Sequence, residues 1–325
     1  MHQLLLLRIM EILIIGYSNL FKNRIISVIN ELTFIEKVSI AKFVQQEWDD
    51  KYKSLSKPVE LYDDYASAIS GFRGNLAYIT TTNHSHFEWA KRTLEKGIHT
   101  IVDKPATIKH SETEELLEIA RNNNLLLSES TVYLYHPQIK VLTDYIRNYN
   151  LLPKQITCLF SFPPLNKDNF RYDKTLGGGA ILDTGPYMAS IARFFFNEIP
   201  EECYTVVNEV SETGVEISYS VLMKFSGGRS IIAHSGFTTE YVNRINVLGK
   251  NICLDIDRIF TLPDTVENIV KVRSKNIVTD LTAPAGNMFK EYFMYIERCI
   301  RDNTYSQLYD NMLTDSKIRS LLIKK

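Results

Sequence analysis

At 325 residues, with 45% apolar and 23% charged side chains, the chain has the composition of a globular protein long enough for roughly two domains. A formal net charge of −1 supplies no electrostatic attraction to nucleic acid or an anionic membrane, and neither is expected as a partner. Cys158, Cys203, Cys253 and Cys299 form no C-x-x-C and the seven histidines no H-E-x-x-H, so no metal site is expected and free thiols point to a reducing, cytoplasmic compartment.

Residues 4–7 are apolar, but the run is too short for a signal h-region or a membrane span. Met10 directly precedes the first strand, so residues 1–9 read as an upstream extension. Residues 11–16 (EILIIG) are an apolar run ending in Gly16, the pattern of a buried parallel strand feeding a tight turn. A helix over 22–30 and a strand over 37–43 would complete a βαβ unit, with a phosphate at the helix N-terminus. The dinucleotide fingerprint G-x-G-x-x-G needs glycine at 16, 18 and 21; the chain has Gly16, Ser18 and Phe21. Ser18 is small enough to let a pyrophosphate approach and its hydroxyl can donate, whereas Phe21 is expected to push the helix off the strand. Lys42 stands at the end of the second strand. An acid there favours NAD and a cation accommodates a 2′-phosphate; a solvated strand-end lysine is the other reading.

Residues 76–82 (LAYITTT) read as a strand closing on Asn83, followed by a helix over 86–96 stopped by Gly97. A strand over 98–102 then ends in Asp103-Lys104-Pro105. Short connections between alternating strands and helices predict a doubly wound parallel sheet with ligands at the carboxyl ends of its strands, where Asn83 and Lys104 stand. His84 and His86 read from the residues alone as helix caps. Ser111 to Glu114 reads as a capping box opening a helix to Arg121, residues 125–128 as a strand, and residues 137–147 as a helix.

From Lys154 the pattern changes. Strand-like runs at 155–162, 203–211, 215–225, 228–236, 244–249 and 252–257 follow one another without helices between, apart from one beginning near Ala180, predicting an open, mostly antiparallel sheet with one or two helices on one face. Residues 289–301 have the apolar spacing of an amphipathic helix, with Phe289, Tyr292, Phe293 and Ile296 as its core stripe, and a last helix is expected over 315–322.

Residues 169–187 (NFRYDKTLGGGAILDTGPY) fit neither grammar. Three successive glycines, Gly177, Gly178 and Gly179, suit a loop bent around a ligand. Asp183 and Tyr187 follow, four apart and so on one helix face. Two readings stand: a carboxylate and a phenol that handle a proton over a glycine floor, or Asp183 as an N-cap with Pro186 in the first turn and Tyr187 packed in a core.

The glycine triplet, the aliphatic pair and Asp183-x-Gly185-x-Tyr187 resemble the second-domain signature of the Gfo/Idh/MocA oxidoreductases, with Tyr187 in the place of that family's histidine. The tyrosine, together with Asn169, Phe170, Arg171 and Tyr172, resembles the branch acting on the sugar of a nucleotide-activated hexose. Asp103-Lys104-Pro105 resembles the family's E-K-P, whose lysine contacts substrate and nicotinamide, and His136-Pro137-Gln138 its crossing into the second domain. The resemblance implies an α/β, Rossmann-like dinucleotide-binding domain over 10–130 with a doubly wound parallel sheet. It implies an α+β domain over 131–325 for substrate binding and homo-oligomerisation, with an open, mostly antiparallel sheet. The cofactor it implies is NADP or NAD, with NADP favoured by Lys42. The cofactor-binding set is Gly16, Ser18, Asn19, Lys42, Thr82, Asn83, His86 and Lys104. The catalytic set is Lys104, Tyr187 and Asp183, and Asn169, Arg171 and Asp183 bind substrate; no metal takes part. A pocket between the two domains is implied, lined by Asn83, Lys104, Asp183 and Tyr187. In this scheme Tyr187 supplies a proton to an alkoxide, Lys104 holds the substrate oxygen, Asp183 orients hydroxyls or Lys104, and Asn169 and Arg171 hold the sugar or its diphosphate. Two other functions stand beside it: a non-catalytic binding relative, motivated by the eroded glycine fingerprint, and a redox-cycling glycosidase or isomerase.

Overall fold

The computed structural model describes residues 9–275 and 277–323, so the upstream extension expected before residue 9 lies outside the described residues. The chain forms two compact units. One comprises the residues up to Ser130 together with Phe289–Met312; the other comprises Thr131–Met288 and the residues from Leu313 on. A single second domain over 131–325 does not anticipate this return of residues 289–312 to the first unit. The apolar stripe explains it: Phe293 lies 5.8 Å edge-on from the ring of Tyr78, and the Tyr292 hydroxyl donates to Ser128 Oγ at 2.7 Å.

In the first unit, β1 (Met10–Ile15) runs through a π-turn at Phe21–Ile25 into α1 (Ile26–Glu31). Then come β2 (Ile35–Ala41), β3 (Val59–Tyr62), α2 (Tyr65–Gly71), β4 (Leu76–Ile79), α3 (His86–Glu95), β5 (His99–Val102), α4 (His110–Asn122) and β6 (Leu127–Glu129). The sheet order is β3-β2-β1-β4-β5-β6, and every pairing is parallel. Strands β4 and β5 are buried along their whole length, as continuous apolar runs in a doubly covered sheet must be. The order reverses at β1, where β2 lies on one side and β4 on the other; this switch point is where such sheets open a ligand crevice. Phe21, expected to hold the helix away, is instead fully buried, and the wider π-turn makes room for it. The capping box lies earlier than the sequence predicts. The Glu112 carboxylate accepts from the backbone N–H of Lys109 at 3.1 Å and of Ile108 at 3.2 Å, so Glu112, not Glu114, closes the start of α4.

In the second unit, α5 (Pro137–Asn148) and β7 (Pro153–Ser161) precede α6 (Ala180–Phe196). Strands β8 (Glu202–Val210), β9 (Glu216–Phe225), β10 (Arg229–Gly236), β11 (Val242–Gly249), β12 (Ile252–Asp257), β13 (Asn268–Ser274) and β14 (Ile277–Ala283) follow. Their order is β14-β13-β12-β11-β7-β10-β9-β8, antiparallel except for β7 against β10. The expected open, mostly antiparallel sheet is present and is two strands wider, because β13 and β14 extend it past residue 257. Alternation along β9 sends Val221, Met223 and Phe225 inward and Leu222 and Lys224 outward, so one face packs and the other meets solvent. Helix α6 lies on the packed face against β7, β9 and β10. It is apolar nearly all round, as a buried helix must be, with Ala180, Ile181, Met188, Ile191 and Ala192 all buried. The chain continues through α7 (Met288–Asp302) to α8 (Ser306–Ile323), which starts nine residues before the expected Asp315.

Candidate active site

The chemistry-bearing residues of the first unit gather at the carboxyl ends of β1, β2, β4 and β5. Gly16 leaves β1 with φ +111°, its N–H donates to Ala41 O at 3.0 Å, and its carbonyl accepts from Thr80 Oγ1 at 2.7 Å. A Cβ there would sit 2.8 Å from the Thr80 carbonyl, so no larger residue keeps this turn against β4. Ser18 accepts from the Phe21 N–H through Oγ at 3.2 Å and from the Lys22 N–H through its carbonyl at 3.0 Å, which makes it the cap of the following helix. Asn19, in the first helical turn, is exposed. A glycine that only glycine can be, a small capping serine and a helix N-terminus at a topological switch point fit a dinucleotide pyrophosphate, with Gly16, Ser18 and Asn19 as the residues to hold it.

Lys42 follows β2 directly, and its N–H donates to Tyr62 O at 3.2 Å. The side chain is not solvated: it is 8% exposed, and Nζ lies 3.0 Å from Asp63 Oδ1. Tyr17, between the glycine and the serine, went unremarked in the sequence. It is buried, its ring lies 5.0 Å from that of Trp48, and its hydroxyl donates to the Asp49 carboxylate and accepts from the Tyr52 N–H. The loop after β2 is thereby pinned onto the phosphate turn. Burial and the hydrogen bond to Asp49 push the Tyr17 phenol well above its ordinary range, and Tyr17 and Lys22 hold the Asp49 carboxyl down to about 2.

Thr82 and Asn83 follow β4. The Thr82 carbonyl accepts from the Ser85 N–H at 3.0 Å, and Asn83 is buried in the short turn that precedes α3. His86, expected in the cofactor-binding set, is fully buried, with Nδ1 2.8 Å from Pro105 O and Nε2 3.0 Å from Thr81 O. Its ring ties the turn after β5 to the turn after β4. Lys104, half-buried in that turn, has every flank secured. Asp103 Oδ1 accepts from the Ser130 hydroxyl at 3.0 Å, Pro105 is held by His86, and the Ala106 N–H donates to Glu129 Oε2 at 2.7 Å. The aspartate of this D-K-P step therefore has a structural partner of its own.

In the second unit the glycine triplet serves the chain itself. The Gly178 N–H donates to Asp173 O at 2.9 Å and the Gly179 N–H to Arg171 O at 3.0 Å. A Cβ on Gly178 would lie 2.6–2.7 Å from the carbonyl oxygens of Arg171, Asp173 and Phe170. The close approach expected toward a ligand is thus made to residues 170–173. Gly178→Ala should cost about 1–3 kcal/mol by overpacking and reduce activity with it; an unchanged denaturation midpoint would show that this loop gives way freely.

Helix α6 begins at Ala180 with Gly179 as its cap, so Asp183 is not an N-cap and Pro186 lies inside the helix rather than in its first turn. The Asp183 carboxylate is engaged: Arg171 donates through Nε to Oδ2 at 2.8 Å and through Nη2 to Oδ1 at 3.0 Å. Asn169 Oδ1 accepts from the Arg171 N–H at 3.1 Å, so Asn169 caps the short turn carrying the arginine. Arg171, expected to hold the sugar or its diphosphate, and Asp183, expected to orient substrate hydroxyls or Lys104, form a bidentate pair that closes segment 171–183. Tyr187, one helical turn beyond Asp183, is partly exposed on a bed of aromatic rings: Phe260 at 4.9 Å, Phe160 at 5.0 Å and Tyr133 at 5.7 Å. These three neighbours come from distant segments and carry no signal in a linear reading. Among the described residues no cluster of His, Cys, Asp or Glu could hold a metal ion, and no helix is long and apolar enough to cross a membrane.

Comparison with known proteins supports the architecture. The model of an oxidoreductase family with an NAD-binding Rossmann fold matches residues 10–131, and that of the GFO/IDH/MocA C-terminal domain matches residues 153–254. A dTDP-3,4-didehydro-2,6-dideoxy-alpha-D-glucose 3-reductase of Saccharopolyspora spinosa is 32% identical over 228 residues, 70% of this chain and 69% of that protein. This chain belongs to the Gfo/Idh/MocA oxidoreductase family. A second relative, D-xylose 1-dehydrogenase (NADP(+)) 2 of Haloferax volcanii, is 23% identical over 71% of this chain and 71% of its own length. The 3-ketoreductase of Actinomadura kijaniata, solved with NADP and TDP-benzene, has the same fold, with a TM-score of 0.88, 22% identity and 96% coverage of each chain. Membership makes the first unit's sheet the family's NAD-binding Rossmann domain and the chain an oxidoreductase.

Proposed function

We propose that this chain is an NAD(P)-dependent oxidoreductase acting on a keto or hydroxyl carbon of the hexose in a nucleotide sugar. The observation that carries the proposal is Tyr187. It replaces the signature's histidine with a phenol held one turn after the Arg171–Asp183 pair, and its ring is packed on three others so that its direction is set. The 32% identical relative, a dTDP-3,4-didehydro-2,6-dideoxy-alpha-D-glucose 3-reductase, supports the same substrate class. A bound nicotinamide would supply or accept the hydride. The chain's own part is proton and orientation chemistry. Tyr187 Oη donates a proton to the oxygen that becomes a hydroxyl, and Lys104 Nζ holds that oxygen. The pair of Arg171 and Asp183 keeps the start of α6 in place, and Thr82 and Asn83, in the turn after β4, would help to hold the cofactor. The test is consumption of NADPH or NADH, followed at the nicotinamide absorbance band, with dTDP- and UDP-linked keto hexoses. Bound dinucleotide with no net consumption on any of them would favour a sensor or a redox-cycling enzyme instead.

NADPH is the expected preferred cofactor, on the strength of Lys42 at the end of β2. Lys42→Ala should weaken NADPH binding about tenfold and leave NADH binding nearly unchanged, the signature of one lost charge-assisted contact to a 2′-phosphate. A fluorescence titration of both reduced dinucleotides checks this, and equal losses for the two would remove Lys42 from that role. The homo-oligomer and the cytoplasmic location belong to the same proposal. The solvent face of the sheet carries exposed Tyr204, Val206, Leu222 and Ile232, and all four cysteines are free thiols.

A further inference from the structure

The ammonium of Lys42 does not face the end of β2 alone. Asp63, the first residue after β3, places Oδ1 3.0 Å from Lys42 Nζ, and Trp48 Nε1 donates to the same oxygen at 3.0 Å. The indole ring also lies beside the ammonium, 5.7 Å from Nζ to the ring centre. The two partners differ sharply in their surroundings: the Lys42 side chain is 8% exposed, the Asp63 side chain 80%. The backbone enforces the meeting, because β2 and β3 pair in parallel with Ala41 opposite Tyr62, and the Lys42 N–H continues the ladder to Tyr62 O. The neighbouring Asp64 is committed elsewhere, accepting from the Ser67 N–H at 2.7 Å as the cap of α2. At the carboxyl edge of β2 and β3 the protein therefore presents a cation already matched by an outward-facing carboxylate.

We propose that Asp63 sets the discrimination between NADPH and NADH, by competing with the adenosine 2′-phosphate for Lys42. The proposal rests on the reading of this chain as a dinucleotide enzyme with Lys42 at the adenosine ribose. Two consequences follow from charge and donor chemistry. A 2′-phosphate gains the full attraction of the ammonium only by displacing the carboxylate or sharing the cation with it, so part of its advantage is lost. An unphosphorylated ribose has hydroxyls that donate, and the same carboxylate accepts them. Asp63 thus restrains NADPH and supports NADH, and the pair allows both cofactors to bind where a lone lysine would favour one.

The test is dissociation constants, measured by fluorescence titration for NADPH and NADH and by calorimetry for 2′-AMP and 5′-AMP. The proteins are the parent, Asp63→Asn and Lys42→Ala. Asparagine keeps an oxygen for the Trp48 N–H and removes the charge, so the loop retains its anchor. Asp63→Asn should tighten NADPH and 2′-AMP about tenfold and leave NADH no tighter than in the parent. An unchanged NADPH-to-NADH ratio in Asp63→Asn, with NADPH weakened in Lys42→Ala, would overturn the role of Asp63 and leave Lys42 as the phosphate contact. A ratio unmoved by either substitution would remove both residues from the ribose site. Failure of every protein to bind either dinucleotide would instead refute the cofactor reading itself.

Discussion

Tyr187→Phe is expected to lower turnover by roughly 10²–10⁴-fold, the usual contribution of a positioned general acid, while KM for the sugar changes little. The ring keeps its contacts with Phe160, Phe260 and Tyr133, so only the hydroxyl is lost and the packing of α6 stays intact. If Tyr187 were only a core residue, turnover would hold and stability would fall by about 1 kcal/mol, one hydrogen bond's worth. Lys104→Ala should be at least as damaging under the proposed mechanism, in which the lysine holds the reacting oxygen and a nearby cation makes a phenol a better acid. Groups that act as a unit are not additive: the double variant should lose far less than the product of the two single losses. A multiplicative loss, measured as kcat/KM on one substrate, would show two residues working independently. The flanks of Lys104 sharpen the comparison, since Ser130, His86 and Glu129 hold Asp103, Pro105 and Ala106 whether or not the lysine is present.

Asp315→Ala is expected to destabilise the second unit by about 3–5 kcal/mol, the cost of leaving one partner of a buried ion pair behind. Arg193, on α6, donates through Nε to Asp315 Oδ1 at 2.8 Å and through Nη2 to Oδ2 at 3.0 Å. The two side chains are 12% and 4% exposed, so water does not replace the lost carboxylate. Helix α6 also carries Tyr187, so activity should fall together with stability. Replacing both partners by apolar residues, Arg193→Met with Asp315→Leu, should recover part of the loss, because Arg193 is then not left charged without its carboxylate. Chemical denaturation of the three variants measures this directly, and a single variant within 1 kcal/mol of the parent would show that the arginine finds another partner.

Most elements of the first unit were legible because their signals are local; β3 and α2, over residues 59–71, were not anticipated. Short apolar runs such as residues 11–15 and 76–79 can be satisfied only as doubly buried strands, and the helices between them leave only a parallel arrangement. The motif lysine and tyrosine were legible for a related reason, since Lys104 before a proline at a strand end and Tyr187 four residues after Asp183 are short-range patterns. The alternation in β13 was also present (Val270 and Val272 inward, Lys271 and Arg273 outward), yet a reading that ends the strands at residue 257 passes over it. The start of α6 near Ala180 was legible, and the alternative reading of Asp183 as an N-cap fails because its N–H already donates to Gly179 O inside the helix.

Composition, most of the strand and helix pattern and the two signature motifs were legible in sequence alone, because each depends on residues within a few positions of one another. Side-chain partnership was decided only by the tertiary structure. Asp183 is matched by Arg171 twelve residues away, Lys42 by Asp63 across two parallel strands, Tyr17 by Asp49, and Arg193 by Asp315 at the far end of the chain. A buried charge or ring nitrogen must find a partner wherever the fold brings one, and that choice is made by proximity in space. For that reason the sequence could name His86, Arg171 and Asp183 as reactive-looking groups, and only the fold could show them joined to other parts of the chain.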